Sequence, residues 1–173
     1  MGDWGLIVET REDGSIKVAS DKFAAIAIKD IISEIWDTGE IGDRELPKKT
    51  FEKNSGIRED TVEELADIND LRDHMRTNYA YEAIWINGDI IYTTNDRKIM
   101  VKPKTVKEYI LLICLSNAVH VLRRPETESK SIDDCFEFGE LKLNPPSFLK
   151  SDDVSPEDCY EYIEREYDVL DSL

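Results

Sequence analysis

Residues Tyr81 to Thr94 read YEAIWINGDIIYTT, two β-rich runs on either side of Asn87-Gly88. That dipeptide accepts the positive φ values of a two-residue hairpin turn, so it commits this stretch to strand, turn and strand. A third short run, KIMVKP, is expected to join the pair after Asn95-Asp96. Near the N-terminus GLIVET and SIKVAS flank REDG, where Asp13-Gly14 predicts a second hairpin. Any fold for this chain must therefore contain antiparallel sheet.

Helical periodicity fills the intervals. Ser20 is the expected cap of a helix running to Gly39, with Phe23, Ala27, Ile31 and Ile35 at four-residue steps. LPKKTFEKN, with Pro47 suited to a first turn, predicts a short helix. Thr61 and Glu64 have capping-box spacing, and Val62, Leu65, Ile68, Leu71 and Met75 would then trace one apolar face. A second box, Thr105 to Glu108, opens VKEYILLICLSNAVHVL, apolar nearly all round and so expected to be a central buried helix. Arg123 and Arg124 suit its end, and Pro125 stops it. Beyond it FEFGELKL predicts a small hairpin around Gly139, and Ser155-Pro156 starts an acidic C-terminal helix. The expected class is α+β, with a core over residues 1–125 and an acidic extension over 126–173.

Phe51 to Leu65, with Gly56-Ile57 ahead of Thr61-Val62 and Leu65, has the spacing of a helix-turn-helix. Together with the hairpin that follows, the order of elements resembles winged helix-turn-helix domains. The resemblance covers fifteen residues and a wing-like hairpin. Reading of DNA does not follow from it. Glu59, Asp60, Glu63, Glu64 and Asp67 would lie on the recognition helix, where phosphate repels them. Many winged helices dock proteins instead, and the acids suit that use, so these five residues are expected protein contacts.

The net charge of -16 is unevenly spread. Asn95 to Pro125 holds 7 basic and 2 acidic residues, whereas Ser131 to Leu173 holds 3 basic and 13 acidic. The basic band, Arg97, Lys98, Lys102, Lys104 and Lys107, is a candidate contact for a phosphate backbone or an acidic partner. In the acidic C-terminal helix Tyr160, Tyr162 and Tyr167 alternate with acids such as Glu164, the mixture of rigid aromatics and charge found at docking surfaces.

Catalytic patterns are thin. His74 and His120 have no nucleophile nearby in sequence, and Asp133-Asp134 and Asp152-Asp153 lack the alternating spacing of a calcium loop. No glycine-rich phosphate cradle occurs, and Cys114, Cys135 and Cys159 are too far apart in sequence for a zinc knuckle. No cofactor or metal is expected. Tyr109 to Leu122 is too short to span a bilayer, and MGDWGLIVETRED has no signal-peptide pattern, so the expected location is the cytoplasm, away from membranes.

These features lead to a non-enzymatic acidic adaptor that joins a protein with a basic surface in a hetero-complex. One setting the resemblance implies is a place beside a DNA-handling ATPase or nuclease, as in antiviral defence or chromosome maintenance. Two other readings are an inhibitor or immunity protein that mimics nucleic acid against a basic enzyme, and a DNA-binding regulator that uses Arg97 to Lys107.

Overall fold

Leu6, Ile7 and Val8 are all fully buried, so the strand that carries them is covered on both faces. It is β1 (Gly5–Thr10). The computed structural model describes residues 5–21, 28, 36, 62–77, 83–86, 89–94, 97 and 99–170. Among them β2 (Ile16–Asp21), β3 (Val62–Leu65), α1 (Ile68–Thr77), β4 (Ala83–Ile86), β5 (Asp89–Thr93) and β6 (Met100–Val101) follow in order. A six-stranded sheet has the order β3-β2-β1-β4-β5-β6. Its central pair, β1 and β4, is parallel, and the other pairings are antiparallel. The class is α+β, as expected.

Both predicted hairpins form. Gly14 takes φ +87° in the first turn, where Ser15 donates its backbone N–H and its hydroxyl to Asp13 Oδ1. Ala83 to Ile86 faces Tyr92 to Asp89, the antiparallel register that the predicted hairpin requires, with the turn dipeptide itself outside the described residues. The second hairpin is not a peripheral wing, however: β4 lies between β1 and β5 in the middle of the sheet. Its apolar residues explain the placement, because Ile84, Trp85, Ile90, Ile91 and Tyr92 are all buried.

The helix expected from Thr61 is overturned over Val62–Leu65. Those residues are β3, with Ile16 opposite Leu65 and Ala19 opposite Val62. Pairing with β2 satisfies their backbone across the ladder and seats Leu65 against the core, which outweighs the local capping-box pattern. The helix begins at Ile68, where Asp67 Oδ1 accepts the Asp70 N–H at 3.0 Å. Ser20 is likewise no helix cap, since it pairs with Leu6 in β2. The rest of the predicted helix to Gly39, the short helix near Pro47 and most of the helix-turn-helix spacing lie outside the described residues. Ile28 is described, and it is fully buried.

One sheet face carries Leu6, Val8, Ile16, Val18, Ile84 and Ile91, joined by Leu71 of α1. Partly buried Leu65, Ile86, Met100 and Leu170 extend this cluster. After the last helix the chain returns to the same sheet: Val169 bridges to Val101, and the Leu170 N–H donates to Met100 O at 2.7 Å.

The chain divides into two compact units, Met1–Val106 with Val169–Leu173, and Lys107–Asp168. The change therefore falls at the start of α2 (Val106–Arg123), not at Pro125. The long apolar helix belongs almost wholly to the C-terminal unit. Leu112, Leu115 and Ala118 of α2 are buried, as are Phe136, Leu149, Cys159 and Ile163 of the later elements. An acidic segment of this size has too few apolar residues to form a core alone, and α2 supplies them. The unit also contains the predicted hairpin β7 (Glu137–Phe138) and β8 (Leu141–Lys142), with Gly139 at φ +60°, and α3 (Pro156–Glu166).

Candidate protein-interaction site

Ser155 and Pro156 start α3 as their types predict. Ser155 is extended, its hydroxyl accepts from the Asp158 N–H, and Asp158 Oδ2 accepts the Ser155 N–H at 2.8 Å. From this fixed start the helical period turns Cys159, Tyr160 and Ile163 into the unit. Glu157, Glu161, Glu164 and Arg165 are left exposed, with Asp158 and Tyr162 half-buried at the border.

Asn144-Pro145-Pro146 holds the preceding chain extended, and a 3₁₀ turn over Ser147–Lys150 follows. The turn buries Leu149 and leaves Phe148 half-buried. Phe148 stacks on Tyr162, with ring centroids 5.0 Å apart and an interplanar angle of 28°. Beside the stack is an open groove of about 450 Å³, whose lining includes Phe148, Tyr162, Asp153, Asp158, Glu161 and Arg165. Three carboxylates against one guanidinium give this lining a formal charge of -2. Among the described residues the side chains of Asp153 and Glu161 have no ion-pair partner.

Arg165 lies three residues beyond Tyr162 on α3, the spacing that makes helical neighbours. Its Cζ sits 5.7 Å from the Tyr162 ring centroid, and its Nε donates to Glu166 Oε1 at 3.0 Å. Burial raises the Tyr162 pKa, Glu166 adds to the rise and Arg165 opposes it. Tyr167 is pushed up to about 12 by burial, with Tyr162, Glu108 and Glu166 adding. Both phenols are therefore neutral at physiological pH and present hydroxyls beside apolar rings.

The structure separates the tyrosines that the sequence grouped. Tyr160 is buried, with the Arg123 guanidinium 5.7 Å from its ring centroid, so it serves the unit's interior. Tyr167 is half-buried and Glu164 is exposed; of the four predicted residues on this helix only Tyr162 lines the groove. Phe148 was not picked out from sequence, Asp153 stood out only in an acidic pair without calcium-loop spacing, and Glu161 only as one of the acids alternating with the tyrosines. The two prolines and Asp152-Asp153 mark the loop of Phe148 and Asp153, but nothing local says that it folds back onto α3.

The predicted acidic face is dispersed. Glu59 and Asp60 lie outside the described residues. Glu64, on β3, is held by Arg11 through bonds of 2.7 and 2.9 Å. Glu63 lies 3.5 Å from His74 Nδ1, and Asp67 caps α1. In the basic band Lys102 pairs with Asp89 at 2.8 Å, while Arg97, Lys104 and Lys107 are exposed and Lys98 is outside the described residues. Lys107 belongs to the C-terminal unit, whereas Arg97, Lys102 and Lys104 belong to the first.

Among the described residues no group of three His, Cys, Asp or Glu is gathered as metal ligands, and no helix is long and apolar enough to cross a membrane. Comparison with family models, with curated proteins and with solved structures finds no match.

Proposed function

We propose that the protein is a non-catalytic interaction subunit whose C-terminal unit captures a basic segment of a partner protein. The observation that carries this reading is the groove in which the Phe148–Tyr162 stack stands beside Asp153 and Glu161. A cationic side chain gains from an aromatic face and from a carboxylate, and this groove offers both within one concavity. Nucleic acid is opposed by the carboxylates, because its phosphates would meet a lining of net negative charge.

The contacts are solvent-exposed, so each contributes about 1 kcal/mol or less and the bound segment needs several. Several such contacts amount to roughly 4 kcal/mol, a dissociation constant of about 1 mM, with the charge of the unit speeding encounter more than it tightens the complex. Such a module suits a cytoplasmic assembly in which the acidic chain recruits or positions a larger basic protein. It does not depend on a helix-turn-helix.

Fluorescence anisotropy with a labelled Arg- and Lys-rich peptide tests it on the full chain. Asp153→Asn with Glu161→Gln should weaken binding about tenfold. The charge-matched control, Glu126→Gln with Glu128→Gln at exposed positions of the same unit, should change it far less. Equal weakening by the two pairs would reduce the groove to general electrostatics and overturn the reading.

A further inference from the structure

The groove already holds a guanidinium, its own. Arg165 reaches the Tyr162 ring at 5.7 Å and lines the same concavity as Asp153 and Glu161. Resting on the reading above, we infer that the occupant is an arginine side chain of the partner and that Arg165 is its internal stand-in, displaced on binding.

Three observations carry this. Arg165 is anchored weakly: its side chain is 67% exposed and its ion-pair partner, the adjacent Glu166, is 49% exposed, so water competes for both. The Tyr162 ring is fixed by Phe148, so the platform stays in place when Arg165 leaves. Asp153 and Glu161, in contrast, have no ion-pair partner among the described residues, and an incoming cation can pair with them. An external arginine thus repeats the contact that Arg165 makes and adds carboxylates that Arg165 does not engage. Lysine is a poorer substitute, because a planar guanidinium stacks on a ring and bonds a carboxylate through two N–H groups, whereas an ammonium acts as a hydrated point charge.

Paired peptides of equal length and charge, one with arginine and one with lysine, separate the possibilities on the full chain. The arginine peptide should bind wild type roughly two- to fivefold tighter than the lysine peptide. Arg165→Gln removes the competitor and should tighten the arginine peptide by a similar roughly two- to fivefold factor. Lys142→Gln, the same loss of charge at an exposed site on the same unit, should tighten it less. Tyr162→Leu should erase the preference for arginine, and Tyr162→Phe, which keeps the ring and guards against a folding defect, should retain it. In wild type the Nε–H resonance of Arg165 should shift as peptide is added.

Equal tightening by Arg165→Gln and Lys142→Gln, or a static Arg165 resonance at saturation, would overturn the displacement. Equal binding of the two peptides would overturn the arginine preference. Either result leaves the groove itself standing, provided that Asp153→Asn with Glu161→Gln still weakens binding more than the Glu126 and Glu128 control.

Discussion

Arg11 grips Glu64 with both terminal nitrogens, Nη1 to Oε2 at 2.7 Å and Nη2 to Oε1 at 2.9 Å, across 53 residues of sequence. The bond ties the first hairpin's turn to β3, the strand that replaces an expected helix. Arg11 holds the Glu64 carboxyl below its usual 4.5, chiefly by that hydrogen bond. A depressed carboxylate stabilises the fold above its unfolded pKa and stops doing so as pH falls through the folded value. Urea midpoints should therefore decline on the acid side of pH 4.5. Glu64→Gln should flatten part of that decline, and an unchanged acid limb would count against the pair.

Asp67 caps α1 and Leu71 is its fully buried anchor. Asp67→Ala should cost about 1 kcal/mol, and Leu71→Ala about 2–5 kcal/mol as the cluster over β1, β2 and β4 loses a side chain. Chemical denaturation measures both. An effect of Asp67→Ala near zero would place the helix start elsewhere.

Thr93 is 8% exposed, and its hydroxyl oxygen has no hydrogen-bond partner among the described residues. Valine keeps the branched shape and removes the orphan group. Thr93→Val should therefore leave stability unchanged or raise it by about 1 kcal/mol. A loss of more than about 1 kcal/mol would mean that the hydroxyl is satisfied in solution.

The C-terminal unit should lose stability in alkali. Burial pushes the Cys114 and Cys159 thiols up to about 11 and the Tyr167 hydroxyl up to about 12. A raised folded pKa gives stability that is full below the unfolded value and is lost as pH rises through the folded one. The usual values are 9.0 for the thiols and 10.0 for the phenol, so stability should fall from about pH 9 through pH 12. Circular dichroism across that range, with thiol reactivity towards a chromogenic disulfide, checks it. Fast thiol reaction at neutral pH without denaturant would contradict the burial.

Much of the local plan was legible in the sequence. Asn87-Gly88 and Asp13-Gly14 placed two hairpins, Gly139 a third, and Ser155-Pro156 a helix start, because each signal acts within a few residues. VEEL misled because Thr61 and Glu64 have capping-box spacing whichever structure follows. The groove was half legible: Tyr162 stood out by type, but its partners Phe148, Asp153 and Glu161 come from a loop and a helix face that sequence spacing does not relate.

By itself, then, the sequence determined the turns, the start of α3, the apolar length of α2 and the charge of each segment, all properties of neighbouring residues. Only the tertiary structure decided that β4 pairs in parallel with β1 at the sheet centre, that Val62–Leu65 is a strand, and that Phe148 meets Tyr162. Those choices depend on which distant surfaces bury together, and burial outweighs local preference wherever a short segment is nearly balanced between helix and strand.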